Sequence, residues 1–167
     1  MAVILITGGT RSGKSAHAEK RARSLPGQPI YIATAEALDA EMEARIAKHR
    51  RRRSTDWIER EVPLDLLQAL IETDGGGPRL VDCLTLWLSN MMHAQRDWEH
   101  DVMKLAVFLR AQKSPVIFVT NEVGLGIVPD NALARSFRDA AGIMNQIIAA
   151  IADEVEFVVA GLPMKLK

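Results

Sequence analysis

The segment Gly8-Gly9-Thr10-Arg11-Ser12-Gly13-Lys14-Ser15 satisfies the pattern G-x-x-x-x-G-K-[ST] in full. Glycines at these positions let the chain turn tightly, with backbone N–H groups aimed inward at an anion. A helix opening directly after the turn adds the positive end of its dipole. Lys14 is placed to bridge the outer phosphates of ATP or GTP, and the Ser15 hydroxyl to hold Mg²⁺. The bland reading is a glycine turn before an ordinary helix. Against it stands the context: the motif follows an apolar run, Ala2–Thr7, and opens a helical pattern.

A phosphate cradle of this kind needs an acidic residue at the end of a buried strand, holding Mg²⁺ through water. Asp82, after the apolar pair Leu80-Val81, is the candidate. Its competing role is a cap for a helix starting near Leu84.

A second constellation is a histidine among arginines. On a helix, Arg45 and Arg53 lie four residues either side of His49, and Arg52 lies three away. Arg53 falls close to the loop residues Ser54-Thr55-Asp56. Nearby guanidinium groups disfavour the imidazolium, leaving His49 neutral and nucleophilic at pH 7. The same cations, Arg50, Arg51, Arg52 and Arg53 among them, would gather a nucleoside triphosphate and stabilise charge on its α-phosphate. Attack of the imidazole there would give a nucleotidylated histidine and release pyrophosphate. Spacing alone leaves two other readings open, a solvated basic helix end and a nucleic-acid contact.

The elements that must carry these groups alternate. Short apolar runs at Ala2–Thr7, Pro29–Thr34, Arg79–Asp82, Pro115–Asn121 and Val155–Ala160 read as parallel strands buried on both faces. Between them lie helical patterns at Ser15–Ser24, Leu38–Arg52, Leu64–Thr73, Leu84–Gln112 with a break near Asp97, and Asn131–Asp153. In the last, Leu133, Phe137, Ala140, Met144, Ile147 and Ile151 form one apolar stripe. Alternating strands and helices imply right-handed crossovers and an α/β, doubly wound, mostly parallel sheet with helices on both faces. Ligands of such sheets bind beyond the carboxyl ends of the strands. That directs attention to Gly8–Ser15, Ala33-Thr34-Ala35, Asp82–Thr85 and Thr120–Val128.

The 167 residues point to one P-loop domain over the whole chain. Zero formal net charge supplies no field for nucleic acid or acidic membranes. No apolar stretch approaches the roughly 18 residues of a membrane span. The single cysteine, Cys83, fits a reducing compartment, and a cytoplasmic location is expected. His17, His93 and His100 make no ligand spacing with Cys83, so no structural zinc is expected.

In order along the chain, these residues resemble the bifunctional adenosylcobinamide kinase/adenosylcobinamide-phosphate guanylyltransferase family. The resemblance runs through Ile6–Ser15, Tyr31–Ala35, Arg45-Ile46 with His49, Trp57, Glu61 and Val81–Asn90. Its most diagnostic stretch is Val119-Thr120-Asn121-Glu122-Val123-Gly124-Leu125-Gly126-Ile127-Val128-Pro129, followed by Arg135, Phe137-Arg138-Asp139, Asn145-Gln146 and Gly161. It implies two reactions: phosphorylation of the aminopropanol hydroxyl of adenosylcobinamide, then transfer of GMP from GTP to that phosphate through a guanylylated histidine. By position His49 would be that histidine. Gly8–Ser15, Ala33–Ala35, Arg50–Arg53, Glu61 and Asp82 would line the GTP site, with Glu61 reading guanine. A homotrimer is implied as well. Some relatives carry paired histidines here, whereas Lys48 precedes a lone His49 in this chain. The Thr120–Val128 loop is expected to help bind the corrinoid, with Glu122 a candidate base. Arg135 and Arg138 are candidate phosphate or subunit contacts. The rival readings are a monofunctional small-molecule kinase and a nucleotide-gated module binding nucleic acid through Arg50–Arg53.

Overall fold

Val3-Ile4-Leu5-Ile6 and Val116-Ile117-Phe118-Val119 are apolar at every position because both faces of the strands they form are covered. A computed structural model describes residues 1–36 and 56–167, with Ala44 and Ala47 from the stretch between. The expected helix Leu38–Arg52, and with it His49 and Arg50–Arg53, lies outside the described residues. The strands are β1 (Val3–Gly8), β2 (Ile30–Ala33), β3 (Ile58–Glu61), β4 (Arg79–Asp82), β5 (Val116–Asn121), β6 (Glu154–Val159) and β7 (Leu162–Lys165). The helices are α1 (Lys14–Arg23), α2 (Leu66–Glu72), α3 (Leu84–His93), α4 (Trp98–Leu109) and α5 (Ala132–Ile151).

Together the strands form one seven-stranded sheet in the order β3-β2-β4-β5-β1-β6-β7. All neighbours run parallel except β7, which pairs antiparallel with β6 at one edge. Side chains alternate across this sheet and so build two cores. Leu5, Ile32, Val81 and Phe118 pack with α2, α3, α4 and α5 on one face. Ile6, Tyr31, Leu80 and Val119 pack with Ala18 and Ala22 of α1 on the other. Helices therefore cover both faces, as expected. Among the described residues no helix is long and apolar enough to cross a membrane.

The long helical pattern after Leu84 divides where expected. Gln95 adopts a positive φ of 53°, and Asp97 caps α4 by accepting from the His100 N–H. Two strands were not anticipated, β3 and β7, both at sheet edges and exposed throughout. The α5 stripe also differs at its start. Leu133 is exposed, and burial begins at Ala140, continuing through Ala141, Met144 and Ile148.

At the amino end of β4, away from the strand ends that face the site, Arg79 is completely buried. Its guanidinium donates to the Leu70 carbonyl at 2.8 Å, to Gln112 Oε1 at 2.8 Å and to the Ser114 carbonyl, and it pairs with Asp74 at 3.1 Å. Burial lowers its pKa, and the Asp74 charge and hydrogen bond oppose that shift. Asp74 in turn accepts from the Lys113 and Ser114 N–H groups. This network ties the end of α2 to the turn entering β5. Arg79→Ala leaves the Leu70 and Ser114 carbonyls and Gln112 Oε1 without this donor and Asp74 without its counter-charge, at a cost of about 3–5 kcal/mol. The expected fall in Tm is about 10 °C for a domain of this size. A fall of only a degree or two in a thermal melt would show that water replaces the guanidinium freely.

Candidate nucleotide-binding site

All the parallel strands end on the same edge of the sheet, which gathers the candidate residues by register. Gly8 pairs with Asn121, and Ala33 pairs with both Asp82 and Glu61. The described candidates, Gly8–Ser15, Ala33–Ala35, Glu61 and Asp82, thus lie along one line of strand ends. From β1 to β3 there are four strand spacings, about 19 Å. Glu61 stands at the far end of that line from the phosphate loop. It is exposed on β3 and lines a cleft of about 360 Å³ with Arg60, Val62, Asp65, Gln68 and Glu72.

The loop after β1 has the conformation that an anion cradle requires. Arg11 takes a left-handed φ of 57°, and Gly13, which precedes α1, takes 96°. Successive turns of this kind point N–H groups into one hollow. The first turn of α1 holds no acidic residue, so its positive end is uncompensated. Lys14 is buried, and its Nζ donates to the Gly9 carbonyl at 3.0 Å, folding the ammonium back over the loop. The Ser12 hydroxyl is buried and has no hydrogen-bond partner among the described residues.

The loop is braced from both sides. On one side the Glu122 N–H donates to the Gly8 carbonyl at 3.1 Å. On the other, the β6–β7 turn reaches across, and the Gly161 N–H donates to the Ser12 carbonyl at 2.8 Å. Glycine is required at two places by this crowding. A Cβ on Gly8 would run into the Val158 carbonyl, and one on Gly13 would sit 3.1 Å from Gly161 Cα. Gly161 was legible only as one member of the resembling set; its bracing role needed the hairpin that β7 forms.

Asp82 does not cap α3. The residue preceding that helix is Cys83, and no side-chain cap bond is made there. Asp82 is instead half-buried and accepts at Oδ2 from the Tyr31 hydroxyl at 2.9 Å. Helix α1 lies over this region, since Ala18 and Ala22 share a core with Leu80 and Cys83. The Cys83 thiol is pushed up to about 11, by burial first and then by the Asp82 charge, against a lowering from Lys14 among others. Lys14 and Asp82 therefore act on the same neighbourhood. The thiol stays protonated near neutral pH and is no nucleophile there.

Thr34 is committed to structure. Its hydroxyl donates to the Cys83 carbonyl at 2.7 Å, accepts from the Cys83 N–H at 2.8 Å, and its side chain is fully buried. A ligand at Ala33–Ala35 would therefore meet backbone. Beyond β5, Thr120 donates to Asn145 at 2.8 Å, and the Asn121 N–H donates to Thr85 at 2.7 Å. These bonds lock the end of β5 to α3 and α5. Glu122 accepts from the Gly124 N–H, and past it Leu125, Ile127 and Val128 are exposed. Arg135 donates to the carbonyls of Pro129 and Asp130, and Arg138 lies 3.5 Å from Asp139. His17 bonds Glu156 at 2.5 Å, joining α1 to β6. Trp87 is buried and donates to the Leu64 carbonyl.

A parallel sheet with a glycine cradle between its first strand and first helix defines the P-loop class of nucleotide-binding α/β proteins. A solved structure from Pyrococcus horikoshii OT3 has a similar fold, with a TM-score of 0.56 over 99% of this chain and 86% of that one, at 8% identity. Residues 4–166 match the family model for cobinamide kinase / cobinamide phosphate guanyltransferase. Over 98% of this chain and 96% of the relative, the sequence is 46% identical to the bifunctional adenosylcobalamin biosynthesis protein CobP of Pseudomonas aeruginosa. It is 43% identical to the bifunctional adenosylcobalamin biosynthesis protein CobU of Salmonella typhimurium, over 99% of each. The chain belongs to the cobinamide kinase / cobinamide phosphate guanyltransferase family and is an enzyme.

Proposed function

We propose that the chain phosphorylates the aminopropanol hydroxyl of adenosylcobinamide with ATP or GTP, then transfers GMP from GTP to that phosphate. The observation that carries this reading is the line of strand ends, with a phosphate cradle at β1, a carboxylate at β4 and a second carboxylate at β3. In the first reaction the substrate hydroxyl oxygen attacks the γ-phosphorus, the bond to the β-phosphate oxygen breaks, and a nucleoside diphosphate leaves. Backbone N–H groups of Gly9–Gly13 and the Lys14 ammonium hold the phosphates and take up charge as it shifts. Glu122, whose N–H donates to the Gly8 carbonyl, would receive the hydroxyl proton.

In the second reaction a ring nitrogen of His49 attacks the α-phosphorus of GTP, and pyrophosphate leaves. An oxygen of the substrate phosphate then attacks the same phosphorus, breaking the N–P bond and restoring the imidazole. Arg50–Arg53 would steady the α-phosphate, backbone of Ala33–Ala35 the ribose side, and Glu61 the N1–H and exocyclic amine of guanine.

The donor set suits Mg²⁺, a hard cation that prefers oxygen and retains several waters. Ser15 and Asp82 are oxygen donors, and Asp82 Oδ1 carries no hydrogen bond among the described residues. When bound, the metal neutralises phosphate charge and fixes its geometry. Exposed Leu125, Ile127, Val128 and Leu133 on one side, and Leu162, Met164 and Leu166 on another, are apolar surface of the kind that subunit contacts cover. They support contacts between copies of the chain, three in number as the resemblance implies, and a cytoplasmic location fits a reduced Cys83.

The test is to incubate the chain with Mg²⁺, GTP and adenosylcobinamide and to identify products by mass spectrometry. Adenosylcobinamide phosphate followed by adenosylcobinamide-GDP is expected. Phosphate alone would leave a monofunctional kinase, and neither product would sink the reading.

A further inference from the structure

We infer that Tyr31 is a positioning residue, whose hydroxyl orients the Asp82 carboxylate toward the Mg²⁺ that accompanies the nucleotide. The inference rests on the metal-binding reading of Asp82 above. Register sets up the contact. Tyr31 pairs with Leu80, and Ala33 pairs with Asp82, on neighbouring strands β2 and β4. All four side chains point to the α1 face, so the tyrosine ring runs along the sheet and reaches the carboxylate two residues further on. Its Oη donates to Asp82 Oδ2 at 2.9 Å from a residue only 4% exposed.

The ring is held in turn. Trp57 meets it edge-on, with centroids 5.7 Å apart and planes at 88°. Over the indole face lies the Arg23 guanidinium, 5.6 Å from the ring centroid, in the last turn of α1. Thus the helix that opens with Lys14 and Ser15 is tied at its far end to the side chain that orients Asp82. A phenol donating to a carboxylate makes a charge-assisted bond that fixes the carboxylate plane. One oxygen is occupied, and the other, without a hydrogen bond among the described residues, is left to a metal or its hydration water. Partners that orient a metal ligand in this way alter metal affinity by about 10–100-fold when removed.

Tyr31→Phe keeps the ring and its packing on Trp57 and removes the hydroxyl that donates to Asp82. The measurement is an electron paramagnetic resonance titration of Mn²⁺ into the full chain saturated with a non-hydrolysable GTP analogue. Asp82→Asn and a thermal melt accompany it. We expect Tyr31→Phe to raise the apparent Mn²⁺ Kd about tenfold with Tm nearly unchanged, and Asp82→Asn to raise it at least as far. In the double variant the two effects should not add, because both act through one carboxylate. Wild-type Mn²⁺ affinity in Tyr31→Phe, beside a weakened Asp82→Asn, overturns the inference alone. Wild-type affinity in Asp82→Asn removes the metal-binding reading of Asp82 and the inference with it. A lower Tm with unchanged Mn²⁺ affinity assigns Tyr31 to packing only.

Discussion

Lys14→Met is expected to lower kcat of the kinase step by about 10²–10³-fold, the loss typical when one preorganised donor to a charged transition state is removed. Methionine keeps most of the stem volume, so the buried site stays filled and the fold should persist. Two features make this position sensitive. The ammonium is already drawn back over the loop by the Gly9 carbonyl at 3.0 Å, so little reorganisation precedes its engagement with phosphate. It is also buried, and charges in such surroundings are felt more strongly than in water. Steady-state kinetics with saturating GTP would check the effect, with a thermal melt alongside. A fall in kcat below tenfold would mean that the backbone N–H groups of the cradle suffice. A large fall accompanied by unfolding would instead place Lys14 among the stability residues.

How far this site could be read without coordinates differs from one group to another. The cradle was legible because its demands are local. A left-handed turn and a following helix fix the spacing of glycine, lysine and serine within a few residues. The central strands were legible for a similar reason, since burial on both faces leaves only apolar residues in Val3–Ile6 and Val116–Val119. Edge strands lack that signature. Ile58-Glu59-Arg60-Glu61 and Leu162-Pro163-Met164-Lys165 face solvent, and Pro163 is tolerated only because β7 closes the sheet. Missing β7 hid the brace of Gly161 on Ser12. Missing the strand order hid the Tyr31 hydroxyl, because nothing in the chain states that β2 lies beside β4. Arg79 was unreadable for the opposite reason. An arginine opening a strand is ordinarily exposed, and its burial depends on four acceptors, from Leu70, Asp74, Gln112 and Ser114, that only the fold assembles.

His49→Ala carries the largest expected effect, because it should abolish the second reaction and spare the first. On the proposed reading, in-line phosphoryl transfer draws on the cradle, the Asp82 carboxylate and an acceptor hydroxyl, none of them supplied by the histidine. Transfer of GMP through a covalent intermediate needs a nucleophile, and losing one costs on the order of 10⁴-fold or more. Incubation with Mg²⁺ and GTP labelled at the α-phosphate should leave label on the denatured wild-type chain. The adduct should be labile to acid and stable to alkali, as an N–P bond is. Lys48 stands directly before His49 and would give an adduct of the same lability, so Lys48→Ala belongs in the comparison. Label lost in His49→Ala but kept in Lys48→Ala, with adenosylcobinamide phosphate still formed by both, would assign the nucleophile to the imidazole. Label retained in His49→Ala would move the covalent step to another residue. Absence of label from the wild type, with nucleotide still bound, would leave the cradle serving a kinase alone and make the basic run after His49 a solvated helix end.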